Sequence, residues 1–256
     1  IDREHLDYYK NLTVIKKAFL NFIQHVNPEG FAVLNKDSAP LYGMRKKIKQ
    51  STVWYSINAK EKSEIKKTIQ LSGEHNLSNA IGAFTICRAL GVKKNIILKA
   101  IAGYKGSWRR SEYRGEYKPH NLPHSISERV HGKSAMVFDD YGHHPTEIAA
   151  TIAAFRERLP NHKIIVVFQP HQRERLKLLF NDFTRAFDKT DELILWEVYD
   201  VAGREAQKNP RDSRALARAI ERRTKKSIPV VSNIKELQAA IASRFPPEAD
   251  PPPEAD

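Results

Sequence analysis

The sequence has very little cysteine and no long apolar run. Cys87 is the one cysteine in 256 residues, which excludes an internal disulfide and favours a reducing compartment. It lies on the apolar face of a predicted helix, as a packed thiol does, rather than in the setting of a nucleophile. No stretch approaches the roughly 18–20 apolar residues of a membrane helix, and no signal peptide is recognisable. We therefore expect a cytoplasmic protein without membrane insertion.

Acidic residues are also in short supply. The chain has 30 Asp and Glu against 43 Lys and Arg, a formal net charge of +13. Such an excess of positive charge can favour binding to nucleic acid, to a membrane surface or to small anionic substrates. The basic residues are scattered over predicted helices, and no motif for RNA or DNA accompanies them. We expect solvated helix faces and a basic cleft for small anions, and no nucleic-acid partner.

A phosphate-binding loop is missing as well. The single Gly-Lys-Ser, at 132–134, would need a glycine at position 127, which is Ser127, with a strand before it and a helix after it. A predicted strand follows instead. We interpret Gly132 and Lys133 as a hairpin turn.

Apolar periodicity predicts a mixed α/β first part, residues 1–109. Helices are predicted over 11–26, 76–90 and 94–104, the second ending at Gly91. Strands are predicted over 31–34, 53–57 and 67–71. The chain then passes through a polar segment, 106–115, into a more regular pattern.

Residues 110–245 alternate apolar strands with helices, which predicts a mostly parallel sheet covered on both faces. This is a Rossmann-like layout, although no Gly-x-Gly-x-x-Gly is present. The predicted strands are 134–139, 163–168, 192–198 and 228–231. The predicted helices are 146–159, 173–187, 213–224 and 234–243. An edge hairpin is expected within 114–129, and the Pro-rich acidic residues 246–256 are predicted to be disordered.

Five polar motifs fall at the ends of predicted elements. In chain order they are Asp2-Arg3-Glu4-His5-Leu6-Asp7-Tyr8-Tyr9, His75-Asn76-Leu77-Ser78-Asn79-Ala80, Trp108-Arg109-Arg110-Ser111-Glu112, Phe138-Asp139-Asp140-Tyr141-Gly142-His143-His144-Pro145 and Val166-Val167-Phe168-Gln169-Pro170-His171. Ligands bind at the carboxyl ends of strands in open α/β sheets. A carboxylate there can accept from ribose hydroxyls, and an imidazole can contact a base or a phosphate.

This ordered set resembles the Mur ligase family, in particular the branch that joins L-alanine to UDP-N-acetylmuramate. The resemblance implies that ATP phosphorylates the muramyl carboxylate in the presence of magnesium (Mg2+), and that the amino group of L-alanine then displaces phosphate. It also implies that residues 1–109 are the latter part of a central ATP-binding domain and that 110–245 are the carboxyl-terminal ligase domain. Family members carry a UDP-binding domain and a phosphate loop before these parts, so we expect no catalysis from this polypeptide alone.

The resemblance assigns roles to the first three motifs. His5 corresponds to a magnesium-ligand histidine with a catalytic role, although magnesium usually prefers oxygen ligands and a plain loop histidine is the alternative. Asn76 is assigned to adenine, with a helix N-cap as the alternative, while Asn79 and His75 would line the same pocket. Arg110 would reach the ATP phosphates and act in catalysis on domain closure. A surface arginine beside Arg109, one of 43 basic residues, is the alternative. The sequence also departs from the family in having Ser111 where the family has Phe.

The last two motifs supply ribose and substrate contacts by the same resemblance. Asp140 is assigned to ribose and His143 to the nucleotide. A metal site built from Asp140, His143 and His144 is the rival interpretation, against which stands that adjacent histidines on a turn rarely converge on one ion without further ligands. The substrate side is assigned to His171, Arg175, Tyr199 and Glu205.

Three functions remain open on the sequence. The first is the alanine ligase, the second is the related ligase that recycles murein tripeptide, and the third is a non-catalytic nucleotide-binding module. The sequence fixes neither the amino acid nor the oligomeric state.

Overall fold

Strands of the described residues form three small sheets. The structure, a computed structural model, describes residues 1–117, 134–199 and 211–244. Strand β1 (Ala32–Asn35) pairs in parallel with β2 (Thr52–Tyr55), and β3 (Glu112–Tyr117) pairs antiparallel with β4 (Ala135–Asp139). Strands β5 (Ile165–Phe168), β6 (Glu192–Trp196) and β7 (Val230–Val231) form a parallel sheet in that order. The mostly parallel α/β class predicted from the sequence is confirmed.

Helices connect and cover these strands. They are α1 (Leu6–Tyr9), α2 (Leu12–Gln24), α3 (Ala39–Tyr42), α4 (Lys62–Thr68), α5 (Glu74–Ala89), α6 (Lys94–Gly103), α7 (Pro145–Arg158), α8 (Arg173–Leu178), α9 (Phe180–Ala186), α10 (Ser213–Thr224) and α11 (Ile234–Ala242). A turn of 3-10 helix covers Arg45–Lys47. In the described part of the chain no helix is both long enough and apolar enough to cross a membrane.

Two sequence predictions in these helices are wrong. The strand predicted over 67–71 is in part the end of α4, because Ile65 and Ile69 are spaced for one helix face and the amide of Ile69 donates to the carbonyl of Ile65. Ile65 is completely buried beside Leu77 and Ile81. The single helix predicted over 173–187 is two helices, because Leu179 leaves helical geometry with φ −111° and ψ 20°.

Strand β4 differs from the expected parallel arrangement. Among the described residues it pairs with β3 and not with the β5–β6–β7 sheet. The Tyr113 and Phe138 rings pack across this pair, with centroids 5.4 Å apart, and cross-strand aromatic contacts stabilise such pairing. Of the hairpin predicted within 114–129, residues 114–117 belong to β3, whose partner is β4 rather than a strand within that range. Its remainder, the Gly132–Lys133 turn, and the predicted disordered tail at 246–256 lie outside the described residues.

Separate buried clusters support the two parts of the chain. In the first part, helices α4, α5 and α6 enclose a cluster that includes Ile65, Leu77, Ile81, Phe84 and Ile97. In the second part, β5 and β6 pack between helices around a cluster that includes Ile148, Phe168, Leu176, Phe183, Leu195 and Leu216. Because β5 and β6 are parallel, their polar carboxyl-terminal residues meet at one edge of the sheet.

The amino-terminal segment, residues 1–9, packs against the second part. Leu6 contacts the buried cluster there. The Arg175 guanidinium donates to Glu4 Oε1 at 2.8 and 3.2 Å, and its side chain is only 11% exposed. Burial raises the pKa of Glu4, but the charge and hydrogen bonds of Arg175 outweigh burial, so the pKa lies below its ordinary value. The segment is therefore held by apolar packing and by a largely buried ion pair.

We predict that Glu4→Gln lowers the free energy of unfolding by about 1–3 kcal/mol at neutral pH, because a charge-assisted contact to a buried guanidinium is lost. Since the folded-state pKa of Glu4 is depressed, its stabilisation is present above the ordinary value of 4.5 and is lost as the pH falls through the folded value. Denaturant unfolding of both proteins at several pH values measures this.

The matched control is Glu64→Gln, which removes an exposed ion pair with Lys94. It should change stability by less than about 1 kcal/mol. Equal losses in the two variants would contradict a special role for the Glu4–Arg175 pair.

Candidate functional site

The turn between β4 and α7 is set by a helix cap. His144 is the N-cap, with Pro145 at the first helical position and the side chain of His144 6% exposed. Its Nδ1 accepts from the Thr146 amide at 3.2 Å, while Glu147 Oε2 accepts from the amides of His143 and His144 at 3.2 and 3.4 Å. This reciprocal capping satisfies orphan amides at the helix start and leaves His143, rather than His144, on the open side of the turn.

The Asp140 carboxylate is the centre of this turn. Oδ2 accepts from the amide and hydroxyl of Ser111 at 2.8 and 3.2 Å. Oδ1 accepts from the Gly142 amide at 2.8 Å and from the Thr151 hydroxyl at 3.4 Å. A Cβ at Gly142 would stand 2.7 Å from Oδ1, so any other residue there would force the Asp140 carboxylate to shift.

Residues 106–111, here called the connecting segment, lead from α6 to β3 and lie against the same turn. Arg109 and Ser111 have φ of 53° and 51°, the left-handed region that side chains disfavour. Arg109 Nε donates to Asp139 at 3.0 Å, and its carbonyl accepts from the Tyr141 amide at 2.7 Å. Contacts to β4 and its turn therefore hold the segment in a conformation that it would not adopt by itself.

Arg110 lies between those two left-handed residues and is exposed. Its guanidinium donates to Glu147 Oε1 at 3.4 Å and lies 5.9 Å from the ring centroid of Tyr141. The His143 ring packs edge-on against Tyr141 with centroids 5.2 Å apart. Arg110 and His143, assigned separately from the sequence, thus share Tyr141 and Glu147 as neighbours.

The start of α5 brings His75 to the same place. Burial lowers the pKa of His75, the Arg110 charge acts in the same direction, and the Asp140 charge opposes them. His75 Nδ1 is buried, and within the described residues no group hydrogen-bonds to it. The imidazole is therefore close to both charged side chains and has an unused polar atom.

Asn76 is not the helix N-cap that was its alternative interpretation. Gly73 holds that position with φ 96°, and Asn76 lies in the first turn, where its side-chain amide donates to the Ser72 carbonyl at 2.8 Å. Asn79 follows one turn later and is exposed.

His171 and Tyr199 adjoin at the carboxyl edge of β5 and β6. A parallel bridge joins their backbones, and their rings stack with centroids 5.2 Å apart and planes 11° apart. Arg175 donates to the His171 carbonyl at 3.3 Å and to Glu4. Burial lowers the pKa of His171, and the charges of Arg175 and His143 add to that effect. Glu205 lies outside the described residues.

His5 follows Arg3, whose carbonyl lies 3.3 Å from Nε2 of His144 in the β4–α7 turn. His5 is exposed, has φ 51° and begins α1 without capping it through its side chain. Within the described ranges, no three His, Cys, Asp or Glu side chains are grouped so as to hold a metal ion. Neighbouring Glu4 is already paired with Arg175. The described residues thus do not form a magnesium site by themselves.

Four residues of this cluster were not predicted as site residues. Arg109, Ser111 and Asp139 form the contact between the connecting segment and β4, and Glu147 joins the α7 cap to Arg110. The spacing of His144 and Glu147 after a strand is a capping-box signal that the sequence did contain. No local sequence pattern predicts the contacts of Ser111, because its partner Asp140 is 29 residues away in the chain.

The start of α5, the connecting segment and the β4–α7 turn bring these residues into one neighbourhood. This neighbourhood holds a carboxylate, two imidazoles and an exposed guanidinium, and two amide side chains lie on the first turns of α5. Guanidinium groups recognise phosphate oxygens, carboxylates accept from hydroxyls, and amides match the donor–acceptor edge of a base. The arrangement suits a polyanionic ligand that also carries hydroxyl groups, such as a nucleotide.

Known families account for both parts of the chain. Residues 1–68 match the Mur ligase middle domain, and residues 127–251 match the glutamate ligase domain of Mur ligases. The chain belongs to the Mur ligase family, whose members are ATP-dependent ligases.

Curated relatives extend this match over nearly the whole chain. The UDP-N-acetylmuramate–L-alanine ligase of Desulforapulum autotrophicum is 32% identical over 96% of this chain and 55% of its own length. The enzyme of the same name from Nitrosomonas europaea is 34% identical over 94% of this chain and 54% of its own length. The chain spans about half the length of the curated relatives it matches.

Solved structures share the fold. The UDP-N-acetylmuramate–alanine ligase of Thermotoga maritima has a TM-score of 0.61 at 20% identity, covering 92% of this chain and 50% of that one. A murein peptide ligase from Psychrobacter arcticus has a TM-score of 0.58 at 17% identity, with the same coverage.

Two glycines with positive φ allow a test of the close approach of α5 to α7. At Gly73 (φ 96°) a Cβ would lie 2.6 Å from Ala154 Cβ and 2.9 Å from His75 Cε1, whereas at Gly91 (φ 82°) no described atom lies within 4 Å. We predict that Gly91→Ala lowers the unfolding free energy by about 1–2 kcal/mol, from conformation alone, and that Gly73→Ala lowers it by about 2–4 kcal/mol, because clash is added. Chemical denaturation measures both, and equal losses would refute the close approach.

Proposed function

We propose that this chain is the ATP-handling and amino-acid-handling part of a ligase that joins L-alanine to UDP-N-acetylmuramate through an acyl phosphate in peptidoglycan precursor synthesis. The observation that carries the proposal is that Arg110, His143 and Asp140 lie in one neighbourhood, with His75 under the influence of the Arg110 and Asp140 charges. The names of its curated relatives supply the substrates. Because the reaction consumes ATP and a UDP-linked sugar, we propose a cytoplasmic location.

The nucleotide would lie across the start of α5 and the β4–α7 turn. Asn76 would meet adenine, Asn79 and His75 would line the same site, and Asp140 would accept from the ribose hydroxyls. Arg110 would leave Glu147 for the phosphates, where its fixed charge stabilises the charge that shifts during phosphoryl transfer. His143, next to Arg110 across Tyr141, would contact the nucleotide.

The substrates would lie at the carboxyl edge of β5 and β6. His171, Tyr199, Arg175 and Glu205 are the proposed contacts of this side. Burial and neighbouring positive charge favour a neutral His171, which can accept a hydrogen bond from an amino group. Magnesium, when bound, would neutralise phosphoryl oxygens, and His5 would be its ligand here together with groups outside the described residues.

A chimaera tests the activity. It joins this chain to the part of the Desulforapulum autotrophicum ligase that lies outside the aligned region. We expect phosphate release from ATP only when UDP-N-acetylmuramate and L-alanine are both present, because the acyl phosphate needs one and its displacement the other. The 256-residue polypeptide alone should release none. Turnover with murein tripeptide in place of L-alanine would favour the recycling ligase. Nucleotide binding without turnover, with the intact relative active in the same assay, would favour a binding module.

Two substitutions in the chimaera test the site. Asp140→Ala should mainly raise the KM for ATP, because a ribose contact is equal in ground and transition states. Arg110→Ala should mainly lower kcat by roughly tenfold to a hundredfold, since charge-assisted contacts contribute about 1.5–3 kcal/mol. The control is Arg114→Ala, an exposed arginine on β3 that pairs with Glu112 and should leave both constants unchanged. Unaltered kinetics in either test variant would remove that residue from the site.

A further inference from the structure

The acceptor capacity of Asp140 is already in use. A carboxylate offers about four acceptor positions on its two oxygens. Within the described residues, four donors reach Asp140, namely the amide and hydroxyl of Ser111, the amide of Gly142 and the hydroxyl of Thr151. A ribose hydroxyl that donates to this carboxylate therefore needs one of these donors to leave.

Ser111 is the donor whose departure disturbs the fold least. Gly142 is two residues away within the same turn, and Thr151 lies on α7, which packs into the second core through Ile148 and Ile152. Ser111 instead belongs to the connecting segment, is 29 positions distant and supplies both hydrogen bonds to Oδ2. Its φ of 51°, like the 53° of Arg109, is disfavoured for a residue with a side chain, so release of the contact also relieves the backbone.

We propose that Ser111 is an internal competitor of the nucleotide: it occupies Asp140 Oδ2 in the ligand-free protein, and a ribose hydroxyl displaces it. The inference rests on the proposed function, because it takes Asp140 as the ribose ligand. Displacement of Ser111 also frees the backbone next to Arg110, so ribose recognition is coupled to the position of the guanidinium that is assigned to phosphate. Ser111 thereby lowers the affinity of the site for the nucleotide without contacting the nucleotide.

Binding of ADP and of 2′,3′-dideoxy-ADP to the full 256-residue chain tests this by calorimetry at up to millimolar nucleotide. Ser111→Ala removes the hydroxyl donor and keeps the amide. We expect ADP to bind it about two- to tenfold more tightly than wild type, the range for one net hydrogen bond, and dideoxy-ADP to bind it no more tightly. The matched control is Ser107→Ala in the same segment, whose hydroxyl contacts Tyr104 at 2.7 Å and which should alter neither affinity.

The two nucleotides separate the competitor from the function on which it rests. One outcome is that wild type prefers ADP to dideoxy-ADP while Ser111→Ala binds both nucleotides as wild type does. That result would refute competition by Ser111 and would leave the assignment of Asp140 to ribose intact. If wild type binds the two equally, the assignment of Asp140 to ribose fails, and the proposal for Ser111 fails with it.

Amide exchange in the wild-type chain gives a readout that needs no substitution. The Ser111 and Gly142 amides both donate to Asp140, so both should exchange slowly without ligand. With saturating ADP, the Ser111 amide should lose protection while the Gly142 amide keeps it. Continued protection of Ser111 in the ADP complex would overturn the proposal.

Discussion

The carboxylate of Asp140 is the contact on which the arrangement of the candidate site depends. It joins the β4–α7 turn, through Gly142, to the connecting segment, through Ser111. Without it, two left-handed residues would lose a main restraint, and Arg110 between them would have no fixed direction. Asp139 adds a contact to Arg109 beside it. Carboxylates that accept from backbone amides have their hydrogen-bonding capacity satisfied. Asp139 and Asp140 can therefore hold the β4–α7 turn and the connecting segment together before any ligand binds.

Two carboxylates of this basic protein pair with cationic side chains that are assigned to the site. The net charge is +13, yet Glu147 lies between Arg110 and His143, and Glu4 is paired with Arg175. Burial raises the pKa of Glu147, but the amide and charge of His143 and the charge of Arg110 outweigh it and hold the pKa below its ordinary value. The acids thus keep cationic side chains in place in the ligand-free protein. An anionic ligand would compete for the same cations.

Local patterns predicted much of the fold and part of the site. The helix predicted over 213–224 coincides with α10, because a heptad-like apolar face and the Asp212 cap define it. The motif around Asp140 was placed correctly on a strand-to-helix turn. The strand predicted over 67–71 and the antiparallel pairing of β4 were missed, because tertiary packing decides both. The Ser111–Asp140 contact is set by the path of a connecting segment, which residue periodicity does not encode.

Two of the contacts that join the second part of the chain to the first differ in strength. The amino-terminal segment is held by Leu6 in the core and by Arg175, 11% exposed, on Glu4. The connecting segment is held by the ion pair of Arg109 and Asp139, each 38% exposed. It is also held by backbone hydrogen bonds of Arg109 and Ser111, whose positive φ is disfavoured. Exposed ion pairs contribute little, about 0–1 kcal/mol, whereas breaking a buried pair leaves an unpaired charge. If one part moves against the other, we therefore expect the contacts of the connecting segment to break before the Glu4–Arg175 ion pair does. Arg110, assigned to the phosphates, lies within this connecting segment.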